Sequence, residues 1–115
     1  MNEKQKYGQK GEDLACKYLK KHGYKIVERN FHCPLGELDI VAIHKGVLVF
    51  IEVKARNTLK YGRPAEAVDE YKQQKLQRLA EMYINLNNKI DKKARFDVVE
   101  VLGDEVNLIQ NAWTL

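Results

Sequence analysis

The chain has 115 residues, of which 44% are hydrophobic and 31% are charged, and its net charge at neutral pH is +4. A chain of this length supplies one hydrophobic core, so we expect a single domain over residues 1–115. The composition excludes wholesale disorder, and the sequence contains no run near the roughly 20 apolar residues of a transmembrane helix.

The basic charge is compatible with a polyanionic partner such as a nucleic acid, although many housekeeping proteins are equally basic. Cys16 and Cys33 lie far apart and form no Cys-x-x-Cys pair, which favours reduced thiols over a disulfide framework or a zinc site. Residues 2–6 are polar and lead into a polar amphipathic segment with no apolar signal region. We therefore expect a cytoplasmic protein without membrane attachment.

The first predicted element is a helix over residues 3–22, because apolar and small residues recur there at helical spacing between lysines and glutamates. Gly23 is expected to end this helix. Residues 24–32 alternate in part and predict a first, edge-like strand. Pro34 and Gly36 then mark a turn.

Residues 37–43 and 47–56 predict two strands, and the short connection between them contains Gly46, which favours a hairpin. The second strand is almost continuously apolar, so we expect it at the centre of a sheet with both faces covered.

Pro64 fits the first turn of a second helix that runs to about Asn87. Strands are predicted over residues 95–102 and 106–113. The order α-β-β-β-α-β-β predicts an α/β fold, a mixed sheet covered by two helices. The connection through the second helix should make the central strand and a later strand parallel neighbours.

Charged residues interrupt the apolar strands at one place. Alternate residues of a strand share a face, so Glu52 and Lys54 point the same way, as do Glu37 and Asp39 on the preceding strand. Carboxylates in an apolar sheet need a cation, a proton or hydrogen bonds to compensate them. Oxygen ligands fit Mg²⁺ or Mn²⁺, and the carbonyl of Val53 is a natural extra ligand. This pattern predicts metal-assisted phosphodiester cleavage, with Lys54 holding water or stabilising transition-state charge.

Two of these assignments have plain alternatives. A lone Glu-x-Lys pair such as Glu52 and Lys54 is usually a surface ion pair, but Phe50 shares its face, so that face is not simply solvated. Glu12 borders the buried stripe of the first helix. It either reaches the metal or is a solvated flank residue, and the residues alone favour neither.

A basic loop follows the central strand. Arg56, Lys60 and Arg63, with Tyr61 interleaved, would bind phosphates or would be a solvated charged loop. Lys72 interrupts the apolar stripe of the second helix. We slightly favour snorkelling of Lys72 to solvent over contact with the substrate beside Gln73.

Other polar residues receive structural interpretations. The three histidines lie near the ends of predicted elements and are expected to be exposed turn residues: His22, His32 and His44. Asp97 is expected to be a structural acid that pairs with Arg95 or Arg29. The sequence contains no Gly-rich phosphate loop and no nucleophile elbow.

Several motifs together resemble the YraN family, in order and over nearly the whole chain. They are Gly8-x-x-Gly11-Glu12-x-x-Ala15, Gly23-Tyr24, Glu28-Arg29-Asn30-Phe31, Gly36-Glu37-Leu38-Asp39, Phe50-Ile51-Glu52-Val53-Lys54-x-Arg56 and Arg95-Phe96-Asp97-Val98-Val99. That family is similar to archaeal Holliday junction resolvases and belongs with the PD-(D/E)xK nuclease superfamily. The resemblance implies a restriction-endonuclease-like core.

The resemblance also implies residue roles. Asp39 matches the metal-binding aspartate, Glu52 and Lys54 match the ExK pair, and Glu12 matches the first-helix glutamate of the resolvases. Glu37 belongs to the family pattern without a clear role, and is at most accessory. Leu38 stands where the superfamily has proline, which concerns the register more than the chemistry because proline is not a ligand.

The sequence thus predicts an Mg²⁺- or Mn²⁺-dependent deoxyribonuclease of repair, recombination or DNA processing, either structure-selective or nonspecific. Resolvase-like cutting would require a homodimer, for which the last strand or Trp113 would provide an interface. The alternatives are a nucleic-acid-binding module on the same fold that does not cut, and a partner protein whose acids form internal salt bridges.

Overall fold

The computed structural model describes residues 3–58, 60, 62–89 and 92–113. The predicted order of helices and strands is confirmed. The elements are α1 (Glu3–Lys21), β1 (Lys25–Cys33), β2 (Gly36–His44), β3 (Val47–Arg56), a 3₁₀ helix (Pro64–Ala67), α2 (Glu70–Leu86), β4 (Ala94–Leu102) and β5 (Glu105–Trp113).

The five strands form one mixed sheet in the order β1-β2-β3-β4-β5. The β1–β2, β2–β3 and β4–β5 pairs are antiparallel, whereas β3 and β4 are parallel. The predictions of an edge position for β1, a central position for β3 and a parallel neighbour reached through the second helix are confirmed. The parallel pair arises because the chain crosses the sheet through α2 before β4 begins.

The second predicted helix is divided in two, which corrects the single helix expected from Pro64 to Asn87. Asp69 has extended backbone angles, and its carboxylate accepts a hydrogen bond of 2.9 Å from the N–H of Lys72. Asp69 is therefore an N-cap that starts α2 afresh at Glu70, since a capping side chain satisfies an otherwise unpaired N–H of the first turn.

Each face of the sheet is covered by one helix. The α1 face buries residues that include Ala15, Leu19, Ile40, Val49, Ile51 and Val99. The α2 face buries residues that include Leu38, Phe50, Leu76, Leu79, Tyr83 and Val98. Helix α1 approaches the sheet closely at Gly11, where an added Cβ would lie 3.0 Å from the Cβ of Ala55. This close approach brings the neighbouring Glu12 towards β3.

A buried polar network within the core joins Tyr24, the residue before β1, to β2, β4 and β5. The hydroxyl of Tyr24 donates to Asp97 Oδ2 at 2.7 Å, and Arg95 Nε donates to Asp97 Oδ1 at 3.0 Å. Arg95 also lies 2.9 Å from His44 Nδ1. The predicted Asp97–Arg95 pair is confirmed. The prediction that His44 is exposed is wrong, because its ring stacks on Tyr24 with centroids 4.1 Å apart.

The last strand does not expose the apolar surface that the sequence predicted for a dimer interface. Trp113 is half-buried and its ring stacks on Phe96 with centroids 4.9 Å apart, so it belongs to the α2-face core. In the described part of the chain, the large exposed hydrophobic side chains are Val27, Leu35, Tyr71 and Leu86. Among these same residues, no helix is both long and apolar enough to cross a membrane.

Candidate active site

The candidate site lies where β2 and β3 stop pairing. The last β2–β3 pair in this direction is Ile40 with Ile51, and one further step along both strands places Asp39 opposite Glu52. There the Asp39 carboxylate accepts a hydrogen bond of 2.9 Å from the N–H of Val53. The end of the ladder thus brings together the two carboxylates that the sequence predicted to meet.

Glu52 is buried, with only 5% of its side chain exposed, and two ammonium groups approach the same oxygen. Lys54 Nζ lies 3.5 Å from Glu52 Oε1, and Lys72 Nζ lies 3.6 Å from it. The expectation that Lys72 snorkels to solvent is therefore wrong. Its position on the inward stripe of α2 directs the ammonium to a carboxylate on β3.

Asp39 carries the largest electrostatic perturbation of the site. Burial raises the pKa of Asp39 first, and the adjacent charge of Glu52 raises it further, while the hydrogen bond from Val53 lowers it. The charge of Glu37 and a hydrogen bond between the two carboxyl groups add smaller increases, and the pKa of Asp39 reaches about 7. Near neutral pH the Asp39 carboxyl group therefore favours holding a proton or having a cation beside it.

Glu12 lies across a shared cavity from Asp39, but hydrogen bonds hold its carboxylate on the other side. Glu12 Oε1 accepts from Arg29 Nε at 3.0 Å and from Asn30 Nδ2 at 3.1 Å. Burial raises the pKa of Glu12, although Arg29 and Asn30 both oppose that shift. Arg29 also donates to Asp13 at 2.7 Å, so α1 is tied to β1 at this point.

The geometry of possible metal ligands follows from these contacts. Among the residues that the structure describes, no three His, Cys, Asp or Glu side chains are close enough together to hold one ion. Of the three predicted carboxylate ligands, Asp39 and Glu52 therefore lie together, whereas Glu12 is hydrogen-bonded to Arg29 and Asn30. Val53 lines the same cavity, and its carbonyl stays a predicted ligand.

An open groove runs over the N-terminal half of α1. One cavity, of about 330 Å³, is lined by Gly8, Glu12, Asp39, Val53, Lys54, Ala55 and Arg56. A second, of about 570 Å³, is lined by Gly8, Gln9, Glu12, Arg29, Asn30 and Glu37. Because Gly8 and Glu12 line both, the two cavities adjoin along this helix. Glu37 lies in the second cavity, where its Oε2 is 3.7 Å from His32 Nε2.

The predicted phosphate-binding residues are distributed unequally around this groove. Arg56 lines the first cavity, and its buried Nε has no hydrogen-bond partner in the described part of the chain. Gln73 instead donates to the carbonyl of Val68 at 3.1 Å. The N–H of Lys60 donates to the hydroxyl of Thr58 at 3.2 Å, which forms a local turn. Tyr61 lies outside the described residues.

Arg63 is bound to a buried acid that sequence reasoning missed. Glu100 is 2% exposed and lies beside Lys54 on the neighbouring strand β4. It accepts hydrogen bonds of 3.0 Å from Arg63, from the N–H of Ala65 and from Asn107. Burial alone would raise the pKa of Glu100, but these hydrogen bonds outweigh it and hold that pKa below its usual value.

Glu100 thus anchors the segment between β3 and α2 next to the site. This corrects the prediction that Arg63 is available to phosphate, since its guanidinium is paired within the protein. The available signal was a single acid, Glu100, within the otherwise apolar residues 98–102, on the face shared with Val98.

Comparison of the sequence with known proteins identifies its family. The model of the uncharacterised protein family UPF0102 matches residues 11–101, which include Glu12, Asp39, Glu52 and Lys54. A UPF0102 protein of Caldanaerobacter subterraneus subsp. tengcongensis is 47% identical over 117 aligned positions that cover 96% of each chain.

Other relatives match over similar lengths. A UPF0102 protein of Desulfosudis oleivorans is 46% identical and covers 98% of this chain and 94% of its own. One of Persephonella marina is 37% identical and covers 94% of this chain and 93% of its own. This chain therefore belongs to the uncharacterised protein family UPF0102, the YraN family.

Proposed function

We propose that this protein is a cytoplasmic metal-dependent nuclease that hydrolyses DNA phosphodiester bonds in repair, recombination or DNA processing. The observation that carries the proposal is the meeting of Asp39 and Glu52 at the end of the β2–β3 ladder, with Lys54 beside them. Two adjacent, largely buried carboxylates are costly for a protein that only needs a stable sheet, because the second charge must be compensated.

The donor set fits a hard divalent cation. Asp39 and Glu52 offer carboxylate oxygens, and the carbonyl of Val53 would add a neutral one. Mg²⁺ or Mn²⁺ bound there would lower the pKa of a water molecule and neutralise charge that develops on the phosphate. Mg²⁺ usually keeps several water ligands and takes only one or two carboxylates from the protein, so a pair suffices.

Lys54 and Lys72 supply fixed positive charge at the same place. Both ammonium groups lie within 3.6 Å of one Glu52 oxygen, so this ion pairing holds them at the site. We assign to Lys54 the task of orienting the attacking water or stabilising the transition-state charge, because it projects from the central strand between Glu52 and Arg56. Lys72 reaches the site from α2 and would contact the substrate phosphate.

The groove over α1 gives the substrate strand a path to these groups. Its floor at Gly8 has no side chain, and a Cβ added there would meet no atom within 4 Å. Arg56 lines the same cavity as Asp39, and its buried Nε has no hydrogen-bond partner in the described part of the chain, so a phosphate backbone would find a cation beside the acids. A basic domain of this size has little surface for reading bases, which favours structure-selective or nonspecific cutting.

The proposal is tested by incubating labelled single strand, duplex, flap and four-way junction DNA with Mn²⁺, Mg²⁺ or EDTA, alongside Asp39→Ala. We expect cutting that requires the metal and disappears in the variant. Cutting in EDTA, or at the wild-type rate in Asp39→Ala, would reject the proposed site. Sedimentation of the protein alone and with the junction would show whether two copies act together, as symmetric junction cutting requires.

Filling the groove at Gly8 should separate substrate access from chemistry. Gly8→Leu adds a branched side chain to the wall that both cavities share, where an added Cβ meets no atom within 4 Å, so we expect at least roughly tenfold weaker DNA binding and correspondingly slower cutting. Gly8→Ala is the control, because it adds only a methyl group and improves helix propensity by about 1 kcal/mol. Fluorescence anisotropy and urea denaturation measure the two effects, and equal DNA affinity of the leucine and alanine variants would show that the strand does not cross Gly8.

A second candidate, a nucleic-acid-binding module that does not cut, is favoured by one observation. Glu12 is held by Arg29 and Asn30, so the described residues form a pair of acids rather than a three-acid cluster. Such a module would bind DNA with salt-dependent affinity and show no turnover with either metal. The same DNA panel decides between the two, whereas a partner protein with structural salt bridges would show neither binding nor cutting.

A further inference from the structure

A cavity outside the candidate site combines exposed apolar side chains with cations. It has a volume of about 230 Å³ and is lined by Leu35, Tyr71, Gln74, Lys75 and Arg78. Tyr71 is 77% exposed and Leu35 is 44% exposed, which places both among the large hydrophobic residues that the fold leaves in contact with water. Their clustering in one concave surface is informative, because singly scattered exposed hydrophobics are normal.

The 3.6-residue period of α2 places three of the lining residues on the same side of this helix. Tyr71, Lys75 and Arg78 occupy positions i, i+4 and i+7 of α2, so they form one stripe on its flank. Leu35 comes from the β1–β2 turn and closes the other side of the cavity. One aliphatic side chain, one aromatic ring and two long basic side chains therefore line the same cavity.

The charges in this cavity favour an anion. Within the described ranges, Lys75 and Arg78 form no ion pair, and none of the lining residues is acidic. The nearest acids along α2 are Glu70, which precedes Tyr71, and Glu81, whose carboxylate accepts from Gln77 at 3.2 Å. The cavity thus presents two uncompensated cations beside an exposed aromatic face.

The cavity adjoins the strand that carries Asp39. A Cβ added to Gly36 would lie 3.1 Å from Cε of Lys75, so the side chain of Lys75 lies against the start of β2. Asp39 follows Gly36 by three residues on the same strand, which corresponds to about 10 Å at the rise of an extended chain. The cavity lies on the α2 side of the sheet, and a nucleic-acid strand that passes over the start of β2 would meet both the cavity and Asp39.

We propose that this cavity binds one unpaired nucleotide of the DNA, with its base stacked on Tyr71 against Leu35 and its phosphate between Lys75 and Arg78. The inference rests on the proposed nuclease function and deepens it by naming a preference for substrates with unpaired bases. An aromatic ring accepts any base on its face, and basic side chains beside it hold the backbone, which is how single strands are bound without sequence readout. A fully paired duplex offers no free base to Tyr71.

The test compares binding of a fluorescent single strand, a flap and a blunt duplex in EDTA, where the proposed function predicts no cutting. Tyr71→Ala should weaken binding of the single strand and the flap by about 5- to 100-fold and leave the blunt duplex unchanged, whereas Tyr71→Phe should bind like wild type. Lys75→Ala and Arg78→Ala should each reduce the salt dependence of single-strand binding by about one ion. The matched controls are Leu86→Ala, which removes an exposed side chain at the other end of α2, and Lys17→Ala, which removes an exposed cation of α1.

Three outcomes would overturn the inference. Unchanged affinity in Tyr71→Ala excludes stacking, and an equal loss in Tyr71→Phe assigns the effect to the hydroxyl. Competition by poly-glutamate as strong as by an oligonucleotide assigns the cavity to anions in general. Cutting of the single strand, flap and four-way junction with Mn²⁺ is measured in parallel for wild type and Asp39→Ala, because that comparison tests the proposed function without changing Tyr71.

Discussion

Lys54→Met is expected to slow metal-dependent cutting by about 100- to 1,000-fold, which is the usual cost of removing one group that stabilises transition-state charge. Methionine keeps the unbranched stem that lines the groove and removes only the ammonium beside Glu52. Because Lys54 is already 26% exposed at its side chain, we expect the fold to survive the change. Single-turnover cutting rates measure the effect at saturating enzyme.

Lys72→Met is the matched comparison, because its ammonium lies at nearly the same distance from the same Glu52 oxygen. If Lys72 contacts the substrate phosphate, its loss should weaken DNA binding more than it slows the bound complex. Glu52→Gln should remove cutting and keep the volume of the buried side chain. A Lys54→Met enzyme that cuts at the wild-type rate would contradict our assignment of this lysine to the chemical step.

The second large effect concerns pH and stability in the absence of metal. The pKa of Asp39 lies near 7 in the folded protein, above its usual value near 4, because of burial and the adjacent Glu52. Below pH 4 both folded and unfolded states hold the proton. Between pH 4 and 7 the unfolded chain has lost it and the folded protein has not, so the free energy of unfolding falls as pH rises through this window and levels off above it.

We expect this fall to be about 2 to 4 kcal/mol, since one pKa unit is worth about 1.4 kcal/mol and the two carboxylates share the effect. Urea denaturation at pH 4.5 and 8 in EDTA measures it. Asp39→Asn should remove this component and be more stable than wild type at pH 8, and the difference between the two proteins cancels other titrating groups such as His44. Mn²⁺ at pH 8 should raise the melting temperature of wild type and have little effect on Asp39→Asn.

A wild-type protein whose stability does not fall between these pH values relative to Asp39→Asn would show that the two carboxylates are compensated without a cation. In that case Lys54 and Lys72 already neutralise the pair, as in a structural salt bridge. The experiment therefore also tests the partner-protein alternative, for which Mn²⁺ would produce no stabilisation.

The order of elements and the meeting of Asp39 with Glu52 were both predictable from the sequence. Strand and helix periods are local properties, and the apolar run of β3 identified the central strand because only a strand covered on both faces is apolar at every position. A short hairpin between β2 and β3 then determines which residues of the two strands lie opposite each other. Alternation along each strand was enough to direct Glu52 and Lys54 to one face.

Contacts between distant segments were decided only by the tertiary structure. The helical pattern showed that Lys72 points inward but not that Glu52 would receive its ammonium, since that depends on how far α2 is shifted along the sheet. Glu12 could not be assigned to the metal or to Arg29 from its helix position, and Glu100 could not be recognised as the anchor of Arg63. Local periodicity determines which face a side chain occupies, whereas its partner depends on the packing of elements that are far apart in the chain.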